Sequence, residues 1–418
     1  MIGYDEALAI IQRETARLDV HRCTPEQALG QVLAETVASG EHLPPFDNSA
    51  MDGFALHVGG ATLRTGSEFD VAGAQAAGDE RVQAIGGAWE IMTGARMPEG
   101  LDAVVPVEQV EVLARDADGR PLRIRLAADV EAGQHVRLRG EDVLHGATVV
   151  EAGTRLAPQH LMLLAALGVP SVAVTRRPRL AVITTGRELV DDPTRPLASG
   201  EIRNSNGPFL AARAVAAGAD VVLRETVSDE PTAYLAALER ALAAGADVVL
   251  STGAVSMGRY DFVPDTLRGI GATIHFHKVR IRPGKPLLFA RLADGQLYFG
   301  LPGNPVSSAV GLRFFVEPAL RAMTGLAPEQ PLRVPLAMAY RKRAPLRFHL
   351  KGRVEVDGGG RMQARVLQGQ ESFRILPLLA ANAWIVVPEE ADFPGAGDLV
   401  EVYGLGHLEA PCIGEVVT

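Results

Sequence analysis

Cysteine is almost missing from this chain: Cys23 and Cys412 stand far apart and form no CxxC pair. That usage excludes a disulfide scaffold and a thiolate zinc site, and it suits a reducing cytoplasm. Long apolar runs are missing too. No stretch approaches the roughly 18 residues of a membrane-crossing helix, and the N-terminus has neither a basic n-region nor an apolar h-region. The expectation is a cytoplasmic protein that spans no membrane. Positive charge is also in deficit, with a net charge of −9. An acidic surface attracts neither phosphate backbones nor anionic lipids, so no nucleic acid and no membrane is expected as partner, although a local basic pocket stays open. Several catalytic signatures have no counterpart. Gly253 to Gly258 has the glycine spacing of a Walker A loop, yet Arg259 and Tyr260 stand where Lys and Ser/Thr are required. No GxGxxG, GxSxG or HExxH occurs, which sets aside dinucleotide-binding, α/β-hydrolase and zincin chemistry. His275 and His277 share a strand face, but without a third ligand they read as structural.

What is present is a globular chain of 418 residues, 47% hydrophobic and 22% charged, with material for about three domains. Asp5 can cap a first helix with Ala7, Leu8, Ile11 and Leu18 on one face, and Thr24-Pro25-Glu26-Gln27 reads as a capping box opening a second. From about Leu56 to Leu144 short strands broken by glycines predict a small β-rich domain. Pro158 to Leu167 reads as a short helix ended by Gly168. Strands are then expected at Leu180 to Thr184, Asp220 to Leu223, Val248 to Ser251, Thr273 to Phe276, Leu287 to Ala290 and Leu297 to Leu301. Helices are expected around Pro208 to Ala217, Thr232 to Ala244 and Phe262 to Arg268. Strands apolar on both faces and separated by helices imply a mainly parallel sheet covered on both sides. After Pro328 short strands return around Gly358-Gly359-Gly360, as in a compact terminal β domain. The expected fold class is therefore multidomain α/β: a central three-layer domain, an inserted β-rich domain and a C-terminal small β-barrel domain.

Polar residues collect in two places. Residues 44–54, Pro44-Pro45-Phe46-Asp47-Asn48-Ser49-Ala50-Met51-Asp52-Gly53-Phe54, join turn chemistry to two carboxylates, an amide and a hydroxyl. Taken alone this is either a metal or anion site or a polar surface loop. The second place is the set of loops beyond the carboxyl ends of the parallel strands, where ligands bind in such sheets. Those loops carry Thr185-Gly186-Arg187-Glu188, Asn204-Ser205-Asn206, Ser228-Asp229, Thr252-Gly253 running through Ser256 and Gly258 to Asp261, and finally Pro302-Gly303-Asn304-Pro305. A further loop carries Lys278, Arg280, Arg282 and Lys285. Only four of the 41 basic residues are lysine, and two of them lie here, where a compact ammonium suits better than a planar guanidinium. Hydroxyls, glycine amides and helix N-termini bind phosphate-like anions, and carboxylates among them suggest a bridging divalent cation. The inferred ligand is phosphorylated and metal-assisted.

With these positions assembled, the chain resembles the molybdopterin molybdenumtransferase family, known as MoeA in bacteria and as the E domain of gephyrin in animals. The resemblance rests on Pro45 to Gly53, Arg139-Gly140-Glu141-Asp142, Val255-Ser256-Met257-Gly258, Arg282-Pro283-Gly284-Lys285-Pro286 and Leu301-Pro302-Gly303-Asn304-Pro305. It implies a homodimer in which adenylylated molybdopterin and molybdate give molybdenum cofactor and AMP with Mg2+ assisting, possible contacts with other molybdenum cofactor biosynthesis proteins, and an α/β domain like that of molybdopterin adenylyltransferases. The domains it implies are an N-terminal helix (1–19) packing on the α/β domain, a linker and dimerisation subdomain (20–46 and 146–175), the inserted β-rich domain (47–145), the α/β molybdopterin-binding domain (176–326) and the C-terminal β domain (327–418). Carried over by position, Asp52, Asp142, Lys278 and Lys285 match catalytic positions, and Asp229, Asp261 and Asp52 match metal-side carboxylates. Substrate-binding positions are matched by Asp47, Ser49, Thr185, Gly186, Glu188, Ser205, Asn206, Thr252, Gly253, Ser256, Gly258, Arg282, Pro302, Asn304, Pro305 and Ser372.

The sequence also departs from the family pattern. Arg187 stands where Asp is common, Ala254 replaces the second glycine of a pair, Asn204 replaces Asp, and Glu371 and Phe373 flank Ser372 where small residues are usual. Arg187 reverses a charge beside Glu188, which puts metal coordination by that loop in doubt. Two other functions compete: a molybdopterin adenylyltransferase, which needs neither the 44–54 loop nor a terminal β domain, and a receptor-docking scaffold, for which the chain lacks a further domain and long linker.

Overall fold

The computed structural model describes residues 1–253, 262–342, 344–411 and 413. Its first element, the helix Tyr4–Glu14, buries Tyr4, Ala7 and Ile11 against the same apolar cluster that holds one face of the central sheet. Its N-cap is Gly3 rather than Asp5. The Asp5 carboxylate lies in the first turn, where it meets the positive end of the helix dipole without capping it.

The second expected helix does not form. Thr24 and Gln27 do exchange their reciprocal bonds, from Thr24 N to Gln27 Oε1 at 3.2 Å and from Gln27 N to Thr24 Oγ1 at 3.4 Å. Beyond them the chain runs only in turns and reaches Gly30 at φ +79°, too soon for added hydrogen bonds to offset the cost of nucleating a helix. This segment instead leads into a three-stranded sheet of Val20–Cys23, Val172–Thr175 and Val32–Leu33. The helix Pro158–Ala166 packs there through Leu164 and ends before Gly168 at φ +62°.

The inserted domain is a mixed six-stranded sheet in the order Ala103–Pro106, Gly53–Leu56, Ala88–Ile91, Glu68–Gln75, Pro121–Leu126 and Val110–Arg115. Phe54, Leu56, Val105 and Ile124 fill one face.

The central sheet has the order Asp220–Val227, Arg179–Thr185, Val248–Thr252, Leu297–Leu301, Leu288–Arg291 and Thr273–Phe276. The first four strands are parallel, and Leu288–Arg291 runs against both of its neighbours. Alternation sorts each strand's side chains into two cores. Leu180, Val182, Leu250 and Phe299 face the helix Asn206–Ala216. Ala181, Ile183, Val249 and Tyr298 face the helices Pro231–Ala243 and Val263–Gly269. A helical segment missed in the sequence follows the last strand: Pro305–Gly311, a π-helical turn Leu312–Val316 and Glu317–Thr324, ended by Gly325 at φ +84°. From Val306 to Val316 every residue is buried, so the apolar residues there show no one-sided period to read, whereas Glu317–Thr324 buries one face.

The C-terminal sheet runs Arg347–Val356, Ala383–Val387, Leu399–Tyr403 and Leu332–Pro335, with Met362–Val366 on the other edge of Arg347–Val356. A bridge between Leu336 and Ala364 joins the two outer strands. Ile281–Arg282, far back in sequence, pairs in parallel with Arg347 and Phe348, so the basic loop is fixed by the C-terminal domain as well as by the central sheet. No described helix is long and apolar enough to cross a membrane.

Candidate active site

The carboxyl ends of the parallel strands converge on one rim. Thr185 and Thr252 end adjacent strands, 4% and 2% exposed, and the Thr185 hydroxyl donates to the Thr252 carbonyl at 3.2 Å. Gly253 then turns with φ +90° and passes so close to Thr185 that a Cβ would overlap its carbonyl oxygen and its hydroxyl. Glycine is required there on both counts. A Cβ on Gly186 would sit 2.8 Å from a Glu188 carboxylate oxygen, so the side chain of Glu188 folds under its own turn. Arg187 points its side chain outward, while its amide donates to Asp229 Oδ2 at 3.2 Å. The charge reversal at Arg187 therefore leaves the main chain of this turn anchored by Asp229.

Asn204 is the hub between strands and helix. Its Nδ2 lies 2.9 Å from the hydroxyls of Thr184 and Thr226 and 3.0 Å from Asp191 Oδ1, and its Oδ1 accepts the Gly207 amide at 2.9 Å. The amide supplies donors toward Asp191 that a carboxylate would lack. Ser205 is exposed. Asn206 opens the helix Asn206–Ala216 and donates Nδ2 to Gly303 O at 2.7 Å, drawing the last rim loop inward. Its Oδ1 is buried without a partner among the described residues, an acceptor that a ligand N–H or O–H would satisfy. In that last loop the Pro302 carbonyl accepts the Ser308 hydroxyl, Asn304 is the exposed N-cap before Pro305, and Val306 N donates to the Ser372 carbonyl at 3.0 Å. Ser372 is thus brought to the rim from the C-terminal domain.

The basic loop is closed by its own main chain. The amides of Val279 and Leu287 both donate to Lys285 O at 3.1 Å, and Ile2 N donates to Lys278 O at 3.1 Å. Arg282 lies with its guanidinium carbon 5.6 Å above the Phe348 ring. It opens on a cavity of about 360 Å³ shared with Arg341, Arg365 and Glu371.

Asp47 and Asp52 form a separate group. Asp47 Oδ1 accepts the Arg139 amide at 2.7 Å, and Asp52 Oδ1 accepts the Thr93 amide at 2.6 Å. The Thr93 amide holds the Asp52 carboxyl below its ordinary range. Ser49 is fully buried, and its hydroxyl donates to Met51 O at 2.5 Å and accepts the Met51 amide at 3.2 Å. It shapes the turn that presents Asp52. Gly140 N donates to Pro44 O at 2.9 Å, and Asp142 N donates to Leu43 O at 3.0 Å with its carboxylate exposed. The two motifs at 44–54 and 139–142 therefore lie side by side, and the anchors of Asp47 and Asp52 stay within the inserted domain. Ser256, Gly258 and Asp261 lie outside the described residues.

Three family descriptions match in chain order: "MoeA N-terminal region (domain I and II)" over residues 2–168, "Probable molybdopterin binding domain" over 181–322 and "MoeA C-terminal region (domain IV)" over 333–405. A molybdopterin molybdenumtransferase of Synechococcus elongatus is 36% identical over 97% of this chain and 100% of its own length. The chain belongs to the molybdopterin molybdenumtransferase family. A Bacillus subtilis member is 34% identical over 93% of this chain and 90% of its own. The crystal structure of a Pyrococcus horikoshii molybdopterin biosynthesis MoeA protein superposes with a TM-score of 0.79 at 28% identity, covering 96% of this chain and 99% of that one. The family fold, multidomain α/β around a molybdopterin-binding central domain, is the fold of this chain.

A magnesium ion fits the rim on its donor chemistry. Among the described residues no three His, Cys, Asp or Glu cluster as a metal cage. Mg2+ is ordinarily held by one or two carboxylates, with waters and substrate phosphates completing its shell. Asp229, half-buried on the rim with one oxygen on the Arg187 amide, offers the second oxygen for that arrangement.

Proposed function

We propose that this protein inserts molybdenum from molybdate into adenylylated molybdopterin and releases AMP and molybdenum cofactor. The reading rests above all on end-to-end relatedness to proteins named for that transfer. It extends through the inserted domain and the C-terminal sheet, which an adenylyltransferase would not require. The site's chemistry agrees. The Thr185 and Gly253 turns and the unpartnered Asn206 Oδ1 form a polar cradle for a nucleotide-bearing ligand, and Lys278, Lys285 and Arg282 supply positive charge for phosphate and molybdate oxyanions. Asp229 and Asp52 would hold Mg2+. When bound, the ion neutralises charge on the phosphoanhydride that is cleaved.

In this reading the protein acts as a homodimer, with Asp47 and Asp52 of one copy facing the rim of the other. Two features support that: both carboxylates are anchored within the inserted domain, and Met51, Met92 and Val107 form exposed apolar surface close to Asp52. A cytoplasmic location agrees with the cysteine usage.

The decisive assay mixes purified protein with adenylylated molybdopterin, magnesium and molybdate. Molybdate-dependent AMP release, with product that activates a cofactor-free molybdoenzyme, is expected. Consumption of ATP with molybdopterin, and no AMP release on adding molybdate, would instead identify an adenylyltransferase.

A further inference from the structure

The four lysines of the chain fall into two kinds. Lys278 and Lys285 sit on the basic loop, whereas Lys342 and Lys351 are buried, 8% and 0% exposed. Each buried ammonium is held by three main-chain carbonyls. Lys342 donates to Leu346, Pro388 and Glu389 at 3.2, 2.6 and 2.8 Å. Lys351 donates to Gly369, Glu371 and Arg374 at 2.6, 3.3 and 3.1 Å. An ammonium splays three donors tetrahedrally, while a guanidinium fixes five in a plane. Three converging carbonyls select the former, which gives lysine a geometric reason to persist in a chain that otherwise uses arginine.

Lys351 has a second feature. It lies on the strand Arg347–Val356, and its own main chain is gripped in return by Gln370. Lys351 N donates to Gln370 Oε1 at 3.0 Å, and Gln370 Nε2 donates to Lys351 O at 2.8 Å. The turn at 369–374 is therefore latched to the strand from both directions. That turn carries Ser372, whose carbonyl meets Val306 N beside the rim loop. Its residues Gly369, Gln370 and Glu371 also wall the cavity into which Arg282 opens. A charge buried without a carboxylate partner is costly, and an apolar side chain of similar shape is often as stable or more so. Packing alone does not explain a lysine here.

We propose that Lys351 is a positioning residue for the transfer reaction: its ammonium gathers the 369–374 turn so that Ser372 is held at the rim and the cavity wall faces Arg282 at the spacing an anionic substrate needs. The inference rests on the function proposed above. It makes Lys351 and Gln370 two halves of one latch.

The experiment compares wild type, Lys351→Met and Gln370→Ala by steady-state kinetics and by amide hydrogen exchange over residues 370–374. For folded Lys351→Met, KM for adenylylated molybdopterin rises about tenfold with kcat within about threefold, as expected when geometry rather than a reacting group is lost. The turn's amides exchange faster. Gln370→Ala shifts both readouts the same way and less. A wild-type KM, a fall in kcat at wild-type KM, or unchanged exchange in folded Lys351→Met overturns the proposal. If that variant does not fold, Gln370→Ala with wild-type KM and exchange overturns it. Absence of AMP release by the wild type would remove the functional reading, and the exchange measurement would still decide the latch.

Discussion

The rim of the central sheet and the 44–54 loop solve opposite problems. On the rim the candidate ligand-binding residues are mostly those that hold the fold: Thr185 locks to Thr252, Gly253 fits against Thr185, and Asn206 ties down Gly303. On the loop, Asp47 and Asp52 stand exposed, and each is steadied by one main-chain amide. The candidate residues share their atoms with the fold in the first region and stand apart from it in the second. In the proposed assembly, a site built from both could change its chemistry at the loop without disturbing the shape of the cradle.

The comparison is sharpest at Asp52. Asp52→Ala should lower molybdate-dependent AMP release by about a hundredfold or more while shifting the unfolding temperature by no more than about 2 °C. A folded variant with wild-type turnover would remove Asp52 from the mechanism. Gly253→Ala should break the rim in both senses. Its left-handed backbone and the overlap with Thr185 predict a loss of about 1–3 kcal/mol in stability together with a drop of about tenfold or more in kcat/KM. Equal effects on stability in the two variants would erase the distinction between the regions.

A pH test probes the join between the central and C-terminal regions, away from both. His407 is 7% exposed, its Nε2 lies 3.1 Å from the Ala217 carbonyl, and its Nδ1 lies 3.3 Å from an Arg321 nitrogen. That arrangement suits a neutral ring protonated at Nε2, and burial pushes its pKa down to about 3. A histidine held neutral by the fold contributes stability that is present above its unfolded value near 6.5 and is lost as pH falls toward 3. At pH 5 the loss amounts to about 2 kcal/mol. Denaturant melts at pH 7.5 and 5 should show it, and His407→Gln should flatten the difference; identical pH slopes for the two proteins would exclude His407 as the source. The smallest effect is expected at Thr24→Val, which removes one bond of an exposed capping pair with no helix behind it and costs about 0.5 kcal/mol, with AMP release unchanged. A loss above about 2 kcal/mol would show that the turn supports more than itself.

Much of the central domain was legible because several of its strands, Arg179–Thr185, Val248–Thr252 and Leu297–Leu301 among them, are largely apolar runs buried on both faces, which fixes their type and extent locally. Thr273–Phe276 and Leu297–Leu301 were predicted to the residue, and Arg179–Thr185 and Val248–Thr252 within one residue at either end. Asp220–Val227 ran four residues past its expected end, because its second half is only half-buried and polar. The helical segment was missed from Pro305 to Val316 because burial on all sides removes the one-sided period that marks a helix, and the one-sided helix Glu317–Thr324 that continues it was missed with it. At Thr24 the error was reversed: the local signature and its hydrogen bonds were real, but nothing followed that could propagate a helix. The rim residues were legible as polar groups after parallel strands. The unpartnered oxygen of Asn206, the hub at Asn204 and the latch at Lys351 were not, since each depends on contacts that only the fold assembles, with partners up to 97 residues away.

By itself the sequence determined which segments form the buried parallel sheet, that polar loops end its strands, and that lysine is kept for special places, because burial periodicity and residue chemistry are written locally. Only the tertiary structure decided that Ile281–Arg282 pairs with the C-terminal sheet, that Ser372 reaches the rim through Val306, and that Lys351 grips the turn carrying it. Those contacts are set by main-chain hydrogen bonds between distant segments, and a carbonyl or an amide leaves no trace in the identity of the residue that bears it.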